Sequence, residues 1–111
     1  MSSDETDRPR RPASQLASLD EARAQIDAID SALLALLAER QAHVDKVTAL
    51  KAVAGVAAAA PSRVVTVLAS VRRRAAEQGV DPDIAEAMWR VMIERFIARE
   101  ERVLGKEGED R

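Results

Sequence analysis

The sequence has no cysteine and no tyrosine, and it contains one tryptophan, one phenylalanine and one histidine. Without cysteine there is no disulfide framework, no thiolate nucleophile and no cysteine-based metal site. A single histidine, His43, leaves almost no material for a metal site or a catalytic triad, and a helix-surface position is expected for it. With so few large side chains, a core of Ala, Val and Leu spread over about 90 residues is thin, which favours oligomerisation. No apolar run reaches membrane-spanning length, and the polar, proline- and arginine-bearing start is not a signal peptide. A cytoplasmic, helical protein with no membrane contact is therefore expected. The net charge of −2 argues against nucleic acid as a partner. Strand patterns, internal repeats and a glycine-rich phosphate loop are also missing.

What is present is one long run, Leu16 to Val53, free of Gly and Pro and rich in strong helix formers. Ser18 can cap its start, with Glu21 completing a capping box. A helix of about 36 residues would measure roughly 54 Å, beyond the ~30 Å width of a small domain. Its apolar seam then needs a second copy to cover it. Before this run, residues 1–15 read as a disordered tail in which Arg8, Arg10 and Arg11 form a small basic patch, solvated rather than binding. Residues 16–104 read as the helical domain, and 105–111 as a charged C-terminal tail.

Gly55 breaks the long helix, and a short mobile loop is expected over Ala54–Ala60. Pro61 opens a second helix with Val64, Val67, Leu68 and Val71 on its apolar face. Arg72, Arg73 and Arg74 suit its C-terminal dipole, with an anion patch as the alternative, and Gly79 ends it. Asp81 and Pro82 start a third helix, with Asp81 as N-cap. Its buried side is expected to include Ile84, Met88, Val91, Met92, Phe96, Ile97 and Val103. The fold class is all-α: a three-helix chain with one very long first helix.

The seam of the first helix runs Arg23, Ile26, Asp30, Leu33, Leu37, Arg40, Val44, Val47, Lys51. Three cations interrupt what an ordinary helix would keep apolar. Arg40 and Lys51 are nearly in phase and about 16 Å apart along the axis, so both can close on one small ligand. Arg23 lies about 25 Å before Arg40 and cannot share that ligand within one chain. In an antiparallel pair of first helices, Arg23 of one copy approaches Arg40 and Lys51 of the other. Arg63 can add a fourth cation. Clustered cations are costly unless an anion compensates, and guanidinium forks suit a small dicarboxylate. The alternative is that these cations pair with Asp27, Asp30, Glu39 or Asp45 in an ordinary bundle.

The run Arg23-x-x-Ile26-x-x-Ile29-Asp30-x-x-Leu33-Leu34-x-Leu36-Leu37-Ala38-Glu39-Arg40, followed by Val47, Lys51 and Arg63, resembles the all-helical, AroQ-class chorismate mutases. The resemblance covers about residues 16–104. It implies an intertwined homodimer with two pockets and no cofactor or metal. It also implies that Arg23 of the opposite chain, Arg40 and Arg63 grip the carboxylates of chorismate. Lys51 would contact a carboxylate and the ether oxygen, Glu100 would face that oxygen from helix 3, and Val47, Ile93 and Ile97 would form an apolar wall. The implied reaction, chorismate to prephenate, is a Claisen rearrangement that needs positioning and donors at the ether oxygen rather than a nucleophile.

Several positions depart from the family pattern. Glu100 stands where many bacterial mutases carry Gln, and it must be protonated to donate to the ether oxygen. Val64 stands where a Glu contacts the ring hydroxyl, and Phe96 replaces a serine. Val64, Phe96 and the segment Ala60–Val64 resemble isochorismate pyruvate lyases, which release pyruvate and leave salicylate. Against that, those lyases carry Gln at position 100. Mutase is the first expectation and lyase the second. A non-catalytic helical dimerisation module, with the seam cations setting register, is a third. The chain is expected to stand alone, without a fused dehydratase, dehydrogenase or regulatory domain.

Overall fold

A computed structural model describes residues 10–111. Most of the tail expected to be disordered, including Arg8, lies outside the described residues. Among the described residues the chain forms a 3-10 turn, Ala13–Gln15, and three α-helices: α1 (Leu19–Ala54), α2 (Pro61–Glu77) and α3 (Pro82–Leu104). None of these helices is long and apolar enough to cross a membrane. The chain divides after His43 into two compact units.

The first unit contains the turn and most of α1. Ser18 Oγ accepts the Glu21 N–H at 3.1 Å, and Glu21 Oε1 accepts the Ala17 N–H at 2.8 Å. This is the expected capping box, with the carboxylate reaching the residue just before the cap. Arg11 joins it: its N–H donates to Gln25 Oε1 at 3.0 Å, and its guanidinium stands 3.6 Å from Glu21. The Ala17 N–H, helped by the Arg11 charge, holds the Glu21 carboxyl below its ordinary range. Along α1, the large apolar residues Ile26, Ile29, Leu33, Leu34, Leu36 and Leu37 are all 40–65% exposed. His43 is also exposed, with Nδ1 2.8 Å from the Glu39 carbonyl.

In the second unit α2 packs on α3 around buried Val71, Ala75 and Ala85, with Val67 and Trp89 against them. Pro61 starts α2 as the sequence predicts. Its end is a Schellman closure: Val80 N–H donates to Ala75 O at 2.8 Å and Gly79 N–H to Ala76 O at 3.3 Å. Gly79 takes φ 78°, the left-handed conformation this closure requires. Asp81 caps α3 by accepting from the N–H groups of Asp83 and Ile84 at 2.9 and 3.4 Å.

One alternative and one expectation for this unit change. Arg72 is not part of a free anion patch, because it donates to Asp83 at 3.0 Å and to Glu86 at 2.7 Å and so ties α2 to α3. Arg90 also pairs with Glu86, and the two guanidinium groups, Arg90 foremost, hold that carboxyl below its usual range. On α3, Met92, Phe96 and Ile97 are half-buried as expected, but Ile84, Met88, Val91 and Val103 are more than half exposed. The face turned to α2 is the one that carries buried Ala85 and half-buried Trp89. One neighbouring helix cannot also cover a second apolar stripe.

The loop after α1 also differs from its expected mobility. Val56, Ala57, Ala58 and Ala60 are all buried, Ala58 to 2% exposure. Gly55 turns the chain at φ 72°, and the loop then pairs with the C-terminal segment through a Val56–Glu109 bridge. Alanines bury readily here because a small Cβ lets backbone approach backbone.

Candidate active site

The second unit gathers its buried polar chemistry where the last turns of α1 meet α3. Thr48 and Lys51 are three residues apart and so share a face of α1. Glu100 lies in the last third of α3, one helical face with Ile93 and Ile97. Lys51 Nζ stands 3.1 Å from Glu100 Oε2, with side chains 18% and 7% exposed. Thr48 Oγ1 is 3.0 Å from the same carboxylate oxygen and 3.0 Å from Val44 O, and its single proton can serve either acceptor. Lys51 Nζ also donates to the buried Ala58 carbonyl at 3.1 Å. Beside this cluster, Arg99 makes a two-point pair with Asp45, at 2.9 and 3.3 Å, which locks α3 to the same stretch of α1.

This is an expensive arrangement to leave half-made. Removing one partner of a buried ion pair costs about 3–5 kcal/mol, because the other charge is left without compensation. Glu100 Oε2 serves here as an acceptor, whereas the role expected at an ether oxygen is that of a donor. Lys51 also opens onto a recess of 460 Å³ lined by Val47, Leu50, Lys51, Ala54, Val56 and Arg111.

The other residues singled out from the sequence are distributed as follows. Val47 lines the Lys51 recess. Ile93 and Ile97 are half-buried on α3. Arg63 is exposed in the first turn of α2. Arg23 is exposed and Arg40 half-buried, both in the first unit. Lys51 and Glu100 are brought together directly; the 17-residue interval between Arg23 and Arg40 on one helix keeps those two apart. Thr48 was not anticipated, although its i+4 step from Val44 and i−3 step from Lys51 were legible. The Ala58 carbonyl carried no side-chain signal at all. Among the described residues no group of three or more His, Asp or Glu side chains could hold a metal ion.

Three helices, with a very long α1 and a buried Lys51–Glu100 pair between α1 and α3, define a class of small all-α proteins. A family model described as chorismate mutase type II matches residues 22–101. The chain belongs to that family. The T-protein of Enterobacter agglomerans is 39% identical over 88 residues, which cover 78% of this chain and 24% of that protein. The chain thus spans about a quarter of the length of that protein. No solved structure gives a significant match.

Proposed function

We propose that this chain is a chorismate mutase, converting chorismate to prephenate as a homodimer whose pockets draw on both protomers. The observation that carries this reading is the buried Lys51–Glu100 pair, whose Lys51 also lines the Val47 recess, within the stretch that matches the family. Its chemistry suits the reaction. The ether C–O bond breaks while a C–C bond forms on the same molecule, so no group leaves and no nucleophile is needed. The enzyme must fold the side chain over the ring and meet the negative charge that grows on the ether oxygen. Lys51 supplies a donor for that oxygen. Arg40 and Arg63 hold the carboxylates, and Val47, Ile93 and Ile97 shape the apolar wall. Glu100 orients Lys51 and faces the breaking bond.

The dimer enters through Arg23 and through the seam. About 25 Å of helix separates Arg23 from Arg40, so a small dicarboxylate can meet both only if Arg23 comes from the partner subunit. The apolar residues of α1 that remain 40–65% exposed supply the surface that a second copy would bury.

A second reading, isochorismate pyruvate lyase, is favoured by Val64 and Phe96. The test is product analysis with chorismate and isochorismate in parallel, following loss of the chorismate diene absorbance. Prephenate as the main product supports the mutase. Pyruvate and salicylate from isochorismate at the higher kcat/KM would transfer the assignment to the lyase. Turnover of neither substrate by a stable dimer would leave the dimerisation module.

A further inference from the structure

Residues 106–111 turn back after α3 and lie along the loop that joins α1 to α2. Ala57 N–H donates to Glu109 O at 2.8 Å, and Glu109 N–H donates to Gly55 O at 2.8 Å. One residue on, Asp110 reaches the first turn of α2, where Oδ1 accepts from Ser62 N–H at 3.1 Å and from Ser62 Oγ at 2.9 Å. A carboxylate there meets the positive end of the α2 dipole. The contact between segment and loop leaves no room for a side chain at Gly108. A Cβ on it would stand 2.6 Å from Ala57 N and 2.8 Å from the Val56 carbonyl carbon, both backbone atoms. Gly108 also adopts φ 136°, which side-chain-bearing residues avoid.

The loop held in this way reaches the candidate site through Ala58, whose carbonyl accepts from Lys51 Nζ at 3.1 Å. An ammonium has three N–H directions. Glu100 and Ala58 take two of them, and together they aim the third. The position of the Ala58 carbonyl therefore decides where the remaining Lys51 N–H points.

We infer that residues 108–110 are a positioning element for Lys51: by pinning the loop from Gly55 to Ala58 they aim the ammonium at the oxygen of a bound dicarboxylate ether. This rests on the mutase reading for the identity of that oxygen, though not for the mechanical link. The test uses the full chain with Gly108→Ala, Asp110→Ala and Asp110→Asn. Two readouts are taken: kcat and KM with chorismate, and the acetylation rate of Lys51 by acetic anhydride, scored by mass spectrometry against exposed Lys46 on the same helix.

With helical content retained, Gly108→Ala should raise Lys51 acetylation several-fold relative to Lys46. It should lower kcat about tenfold while changing KM less, since aiming acts on the transition state. Asp110→Ala should act in the same direction more weakly, and Asp110→Asn, which keeps the accepting oxygen, should recover most of that loss. In a Lys51→Gln background Gly108→Ala should cost nothing further, because the two changes act through one group. Unchanged Lys51 acetylation in both Gly108→Ala and Asp110→Ala overturns the inference, as does full additivity with Lys51→Gln. If the unsubstituted chain fails to convert chorismate, the mutase reading falls, while the acetylation ratio still decides whether the segment holds Lys51.

Discussion

The leucines of α1 and the alanines of the following loop exchange the places that hydropathy alone would give them. Leu34 is 65% exposed, whereas Ala58 is 2% exposed. Both follow from geometry. A helix of 36 residues outruns the surface that one short chain can lay against it, so its large side chains remain uncovered by that chain. The loop is crossed by a returning strand-like segment at backbone distance, and only small side chains allow that approach. Exposed bulk on α1 is the surface that the proposed dimer would bury, and buried small residues in the loop mark a close crossing.

The largest test of this contrast is on the helix. Leu33→Glu should weaken self-association by about 3–6 kcal/mol. A buried leucine contributes roughly 1.5–3 kcal/mol, and a two-fold interface counts it twice. Sedimentation velocity across a dilution series measures it, and an unchanged dimer would remove the α1 seam from the interface. Next is Lys51→Gln, expected to lower kcat/KM for chorismate by about 10²–10³, the range for losing one donor to a developing oxyanion. A loss below fivefold would move the ether-oxygen donor elsewhere. Third, Ala58→Leu should cost about 1–3 kcal/mol of stability through overpacking, read as a lower midpoint in urea. If it is neutral, the loop is less tightly crossed than its burial indicates.

The smallest effect belongs to the α1 cap. Ser18→Ala should cost about 1 kcal/mol, measured by thermal unfolding monitored by circular dichroism. The same cap has a pH signature. Glu21 has a folded pKa below its unfolded value, so its contribution is fully present above the unfolded value and is lost as pH falls through the folded one. The midpoint difference between wild type and Glu21→Gln should therefore shrink on acidification; a difference that grew would contradict the bond to Ala17.

Much of this architecture could be read along the chain, and the reason is local. Ser18, Glu21, Pro61, Gly79, Asp81 and Pro82 act on backbone groups within a few residues, so helix starts and stops followed from their order. Lys51 stood out as a candidate from the cation spacing on the α1 seam and Glu100 as one from the family resemblance, and their direct pairing at 3.1 Å emerged only in three dimensions. Misplaced burial on α3 has a similar origin: periodicity shows that Ile84, Met88 and Val91 share an apolar character, not which neighbour covers them. The C-terminal segment read only as a charged tail, because most of its partners are main-chain atoms that leave no mark on side-chain patterning.

Sequence by itself determined the three helices, their caps and the cations on the α1 seam, since these depend on propensity and on spacing along one helix. Tertiary structure alone decided that Lys51 meets both Glu100 and the Ala58 carbonyl, and that residues 108–110 press on the loop carrying that carbonyl. Those contacts join residues about fifty positions apart, or involve main-chain groups identical at every position. The order of side chains cannot specify such contacts until the chain has folded.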